Sequence, residues 1–273
     1  MRAFILAHKK LVSTVVLVTL CFVLYVLQTP SNNRTWTTDQ EVLPYAEFQG
    51  TDVTVFNIRN FSYTTVDMYT PHYYTKTFNL NDLQSVDFVV EPFGSMAGAH
   101  TFLTFGFTNG DHVAISIEIR KEVGEKFSPL SGIFRQYELM YVVADEQDVI
   151  KLRSNYRKDQ VYLYPLQLTK EQVQVLFVDM LKRTNALRDV PEFYNTITNN
   201  CTTNVAQHIN AVLPHTFTWD VRLLFSEYAG ELFYEQGLMG TTTSFTQLQN
   251  LHHINAKAEA YANSVDFSDQ IRN

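Results

Sequence analysis

The feature that most constrains this chain is an almost unbroken apolar run from Leu11 to Leu27. About 17 residues of helix at 1.5 Å each give roughly 25 Å, close to the thickness of a bilayer's hydrocarbon. His8-Lys9-Lys10 flanks the run on its N-terminal side. The positive-inside rule therefore predicts residues 1–10 in the cytoplasm and the body of the chain across the membrane. The run is longer than the apolar part of a secretion signal, and no small-x-small site follows Leu27-Gln28-Thr29-Pro30. An uncleaved anchor at 11–27 is the expectation, with a cleaved signal peptide as the alternative. A lipoprotein signal fits less well, because Cys21 lies in mid-run behind bulky Leu20. In a bacterium this address means a single-pass protein of the inner membrane with its domain in the periplasm. Residues 28–46 are polar and read as a tether, 47–240 as the folded domain and 241–273 as a C-terminal extension.

The body is large enough for a substantial core: 45% of the 273 residues are hydrophobic and 14% aromatic. Beyond the anchor 18 basic residues stand against 28 acidic ones. An acidic body without a basic stripe excludes nucleic acid as the expected partner. Cys21 and Cys201 are the only cysteines. Cys21 lies in the apolar run, so Cys201 is expected as a free thiol and no cluster of thiolates can hold a metal. No His-x-x-x-His spacing, glycosidase-like carboxylate pair or phosphate loop is present, and no metal or cofactor is expected.

Strands dominate the first half. Val53 to Ile58 alternates, Asp87 to Glu91 is short and apolar, and Thr101–Phe107 and His112–Arg120 flank Asn109-Gly110, a strong hairpin signal. Leu139–Val143, Val149–Leu152 and Val161–Tyr164 are read as further strands. The first long helix is expected at Thr169, where Thr169-x-x-Gln172 forms a capping box ahead of Val173, Leu176, Phe177, Met180 and Leu181. A second helix is expected from Cys201, with Cys201, Val205, Ile209 and Val212 on one stripe, and a further helical piece over Leu223–Leu238. Strands first and helices later predict an α+β fold, an antiparallel sheet with packed helices.

The chemistry concentrates at Thr198-Asn199-Asn200-Cys201-Thr202-Thr203-Asn204, where a loop becomes a helix. Unpaired N–H groups and the helix dipole favour a thiolate there. A free cysteine is unusual in an oxidising compartment, though a buried packing residue is the plain alternative. A thiolate needs a base. His8 is cytoplasmic, His72, His215, His252 and His253 lie in loops or the tail, and His112 is at a hairpin edge. His208 falls two helical turns beyond Cys201, roughly 10 Å along the axis. His100 remains by elimination. It starts a strand whose hairpin partner carries Glu118 near its far end. A three-residue connector sets His100 opposite Glu118, whereas a two-residue turn flips Glu118 to the other face. Glu118 is the candidate orienter of the imidazole, and Ser116 on the same face is the fallback. Asn199 and Asn200 either cap the helix or stabilise an oxyanion, for which the Cys201 N–H is a natural donor. Arg120, Glu122, Glu125, Arg135 and Glu138 are expected to pair at the surface.

Phe193 to Asn204, Ala99 to Phe107, Ser116 to Arg120, Gly124-Glu125, Arg135 to Val142 and Asp266 to Arg272 together resemble the Lnb N-terminal periplasmic domain family over roughly residues 50–272. The resemblance implies a papain-like thiol domain in circularly permuted order, histidine before cysteine, as in permuted relatives of the NlpC-type peptidases and the lecithin:retinol acyltransferase group. It also implies lipoprotein N-acylation, with a membrane lipid or lipoprotein as substrate. His100 and Cys201 match the family's histidine and cysteine positions, and Glu118 sits in its Ser-x-Glu segment. Longer members carry a multi-span membrane region after the domain, where one N-terminal span is expected in this sequence. The same thiol chemistry also fits a cell-wall peptide amidase or peptidase. A non-catalytic envelope binding module is the reading from a different class.

Overall fold

The computed structural model of this chain describes residues 2–94, 98–240 and 242–273. The apolar run lies within helix α1 (Arg2–Leu27), and its stretch Lys9–Leu27 is long and apolar enough to cross a membrane. The body follows as β1 (Tyr45–Gln49), β2 (Asp52–Arg59), β3 (Ser62–Tyr63), β4 (Tyr69–Thr70), β5 (Tyr73–Asn79), β6 (Leu83–Phe93), β7 (Gly98–Phe107), β8 (His112–Arg120), α2 (Pro129–Ile133) and β9 (Glu138–Ala144). Next come α3 (Glu146–Lys151), a π-helix over Leu152–Arg157, β10 (Tyr162–Pro165), α4 (Lys170–Asp189) and α5 (Cys201–Val212). Short helices close the chain: α6 (Ala229–Glu235), α7 (Phe245–Leu251), α8 (Asn255–Ala260) and α9 (Phe267–Gln270).

The main sheet runs β1-β2-β9-β8-β7-β6-β10, with β5 also on β2. The fold is α+β as expected, but the sheet is mixed rather than antiparallel throughout. β2 meets β9 in parallel at Arg59 and Ala144, while the other pairings of the sheet are antiparallel.

Side chains alternate across the pleat, and both faces are covered. Leu103, Phe105, Ile115 and Tyr141 pack with Val173, Phe177 and Met180 of α4 and Val205 and Ile209 of α5. Val89, Phe102, Ala114 and Met140 point the other way, onto Val149, Ile150, Ile254 and Phe267. The central strands are apolar at nearly every position because neither face meets water. Burying these side chains contributes about 1.5–3 kcal/mol each.

The cap signals act as their chemistry requires. Thr169 and Gln172 form the reciprocal capping box of α4. Phe107 N–H donates to Asp111 O at 2.9 Å, closing a three-residue connector in which Gly110 adopts φ +85°. That connector pairs Phe102 with Ser116 and Gly106 with His112.

Three further sequence expectations change. Val149–Leu152 is helical, not a strand. Asp145 starts the turn, Glu146 and Asp148 sit at the favourable end of the dipole, and Val149 and Ile150 face the sheet. Leu223–Leu238 is broken into short 3₁₀ turns around Ser226 and the short α6. Arg120 and Glu138 are buried, not surface charges. The segment read as a tether lies over them: Arg120 stacks on Trp36 at 4.2 Å and donates to the carbonyls of Gln40 and Glu41, while Glu138 pairs with Arg34 at 3.0 Å.

Candidate functional site

The site forms where two hydrogen-bonded strands part. β7 and β8 pair only as far as Phe102 and Ser116. Beyond that point β7 continues against β6 to Gly98, and β8 continues against β9 to Arg120. A cavity of about 370 Å³ opens at the parting, lined among others by His100, Glu118, Arg153, Tyr194 and Cys201.

Cys201 is the first residue of α5. The Asn200 side chain accepts from Thr203 N–H at 2.8 Å, and the Thr203 hydroxyl accepts from Asn200 N–H at 2.9 Å. This capping box fixes the helix start, so the thiol sits at the end of the helix where partial positive charge gathers. Cys201 is 8% exposed, and Thr101 of β7 contacts Thr202 at 3.0 Å to hold α5 on the sheet. Burial pushes the Cys201 thiol up, but hydrogen bonding and charge attraction from His100 outweigh it, and the net shift is downward.

His100 lies in the same register as Glu118, so their side chains project to one face. Nε2 of His100 is 2.7 Å from Ser116 Oγ and 3.1 Å from Glu118 Oε1. The Ser116 hydroxyl donates to Glu118 Oε1 at 2.7 Å, so it accepts from an Nε2–H. Burial alone lowers the His100 pKa, the Glu118 charge raises it, and the balance is a value raised to about 9. Burial pushes the Glu118 carboxyl up, yet His100 and Arg153 hold it well below the usual carboxylate range. The two shifts run in opposite directions, the thiol down and the imidazole up, as expected for a pair that favours its ionic form.

Three residues at this site are absent from the sequence reading. Arg153, in the π-helix, donates to Glu118 at 2.8 Å and pairs through Nε with Glu91 at 2.6 Å. Glu91 lies directly opposite His100 on β6. A lone carboxylate in the apolar stretch Phe88-Val89-Val90-Glu91 was the available signal, because a buried charge requires a partner. Tyr194, beside the matched Asn195, also lines the cavity, and burial pushes its phenol far up so that it keeps its proton.

Asn199 and Asn200 do not line the cavity. The Asn200 amide donates to Thr196 O at 2.8 Å and Leu223 O at 3.1 Å, and the Asn199 amide to Phe193 O at 3.0 Å. Both side chains hold the loop and cap the helix, which leaves their N–H groups committed. Among the described residues no group of three or more His, Cys, Asp or Glu side chains is arranged to hold a metal ion.

His208 is buried on α5, where Nδ1 meets Asp179 at 2.6 Å and Nε2 meets the Tyr141 hydroxyl at 2.7 Å. Tyr141 also reaches Asn204 at 3.2 Å, and Asn204 donates to Asn199 at 2.8 Å. This second polar chain braces the loop that enters α5.

No curated protein and no solved structure matched the chain in comparison. The model of the Lnb N-terminal periplasmic domain matches residues 69–229. That span holds His100, Ser116, Glu118, Arg153, Tyr194 and Cys201 together, and the chain belongs to the Lnb N-terminal periplasmic domain family.

Proposed function

We propose that this chain is a membrane-anchored thiol enzyme of the periplasm that moves acyl groups on lipid or lipoprotein substrates. The observation that carries the reading is the pairing of opposite shifts at one cavity: the Cys201 thiol is drawn down and the His100 imidazole is raised to about 9. Nε2 of His100 is taken by Ser116 and Glu118, so Nδ1 is the nitrogen left to exchange a proton with the sulfur.

The thiolate attacks an ester carbonyl and a C–S bond forms. The oxyanion faces the first-turn N–H of Cys201, which has no intrahelical acceptor, and the protonated phenol of Tyr194. The ester C–O bond then breaks, and the leaving alkoxide takes the proton from His100. In the second half an amine attacks the thioester and His100 accepts its proton. The C–N bond forms, the C–S bond breaks and the thiolate returns. Water in place of the amine makes the same site a hydrolase. The order of a His-bearing strand before a Cys-bearing helix supports a circularly permuted papain-like core. α1 is read as a retained anchor that keeps the cavity at the bilayer.

The test is trapping of the acyl-enzyme. Full-length protein is incubated with a phospholipid or a diacylated lipopeptide, and intact mass is measured. The expected result is an acyl adduct on Cys201 that hydroxylamine removes and that Cys201→Ser lacks. No adduct with either donor counts against the reading. A second reading, amide cleavage of cell-wall peptide, draws on the charged side chains in the cavity lining, among them Asp39, Lys121, Arg157 and Asp159. It predicts turnover of soluble wall fragments and indifference to lipid.

A further inference from the structure

We infer that the face around the cavity mouth is itself a membrane-docking surface, seated on the lipid of the bilayer that holds α1. The inference needs α1 to be retained as a membrane helix. It goes beyond the proposed chemistry and holds whether or not Cys201 is catalytic.

Arg135 stacks over the Tyr25 ring at 4.3 Å and donates to the Tyr25 carbonyl at 3.5 Å. The same guanidinium lies 5.8 Å from the Phe193 ring, in the loop that leads to Cys201. A few residues past the helix, Ser31 N–H donates to Glu138 at 3.1 Å and Asn32 donates to Leu187 O at 3.1 Å. The chain therefore leaves its apolar helix directly onto the body, with no slack. Whatever surrounds Arg135 is held near the level at which α1 meets water.

Segments tied to that point expose large apolar side chains. Phe134 is 64% exposed, Leu130 67% and Trp219 77%, and Phe127, Ile197 and Phe225 are also exposed. These residues belong to connected segments. Thr196 donates to the Pro129 carbonyl at 2.7 Å, joining the 193–199 loop to α2. Asn200 donates to the Leu223 carbonyl at 3.1 Å, joining that loop to the segment that follows α5. Phe127 also lines the cavity. Large exposed apolar residues on mutually bonded segments beside a membrane helix mark an interaction site. Aromatic and aliphatic side chains that flank the end of a membrane helix suit the headgroup boundary, where their apolar bodies enter the acyl region.

The chain carries its own reporters. Its two tryptophans are Trp36, buried beneath Arg120, and exposed Trp219. Full-length protein is reconstituted into phosphatidylethanolamine/phosphatidylglycerol vesicles, with and without brominated acyl chains. Trp219 emission is isolated by difference from Trp219→Phe. A second reporter is Phe134→Trp in the Trp219→Phe background, with folding checked by circular dichroism. The expected result is a blue shift, loss of emission with brominated lipid at both positions, and protection from aqueous iodide relative to detergent-solubilised protein. Emission at either position that brominated chains leave unchanged, and that iodide quenches equally in vesicles and detergent, overturns the surface. Neither readout uses the thiol, so failure here is distinct from failure to trap an acyl-enzyme.

Discussion

Two histidines in this domain each sit between a carboxylate and a hydroxyl. His100 has Glu118 and Ser116; His208 has Asp179 and Tyr141. The difference lies in how the ring nitrogens are spent. His208 gives one nitrogen to each partner and is closed on both sides. His100 gives both partners the same nitrogen, Nε2, and among the described residues Nδ1 has no hydrogen-bond partner at the cavity that Cys201 also lines. Its carboxylate is in turn gripped by Arg153, which Glu91 holds from behind. A carboxylate–histidine pair is therefore no mark of catalysis by itself. What distinguishes a proton-transfer site is a free ring nitrogen at a cavity that also holds a nucleophile.

The contrast is broken or sharpened most strongly at the nucleophile. Cys201→Ser and His100→Asn are each expected to lower acyl-enzyme formation by about 10³-fold, while His208→Asn stays within about tenfold, measured as single-turnover rates. Equal losses at the two histidines would erase the distinction. Glu118→Gln is expected to cost about 10²-fold, because the imidazolium loses the charge that stabilises it. The alkylation profile of Cys201 should then move towards that of an ordinary thiol.

The closed relay should answer in stability instead. Tyr141→Phe leaves His208 and Asn204 each short of a partner and is expected to cost about 1–3 kcal/mol in urea unfolding, with little change in rate. The smallest effect is in pH. The His100 pKa is raised on folding from 6.5 to about 9, so its contribution to stability is full below 6.5 and is lost as pH rises through about 9. Thermal unfolding across that window should show a decline that His100→Asn flattens. The lowered thiol works in the opposite sense: its contribution is present above the ordinary thiol value and fades as pH falls through its folded pKa.

How much of this was legible follows from local rules. The hairpin at Asn109-Gly110 allowed residue counting but left two registers open, because a one-residue change in the turn is not written in the sequence. The three-residue connector in the structure is the one that sets Glu118 in register with His100. The Asn200 cap and the stripe from Cys201 to Ile209 are local in the same way. Arg153 was hidden because Val149–Leu152 is a short apolar run, and periodicity alone does not separate buried helix from buried strand. Glu91 and Tyr194 reach the cavity through pairing and packing between distant segments. The Arg120–Trp36 stack was invisible for a similar reason, since polar composition in 28–46 says nothing about which single aromatic is buried. Asn199 and Asn200 carry donor chemistry that sequence cannot assign, and the fold spends it on carbonyls.

The central claim is that His100 draws the Cys201 thiol below its ordinary pKa. The pH dependence of iodoacetamide alkylation tests it most directly, read by mass spectrometry on the Cys201 peptide so that Cys21 does not interfere. The account predicts alkylation that begins below the ordinary thiol range and retreats to that range or above in His100→Asn, with His208→Asn unchanged. A single inflection at the ordinary thiol value, identical in all three proteins, would contradict it.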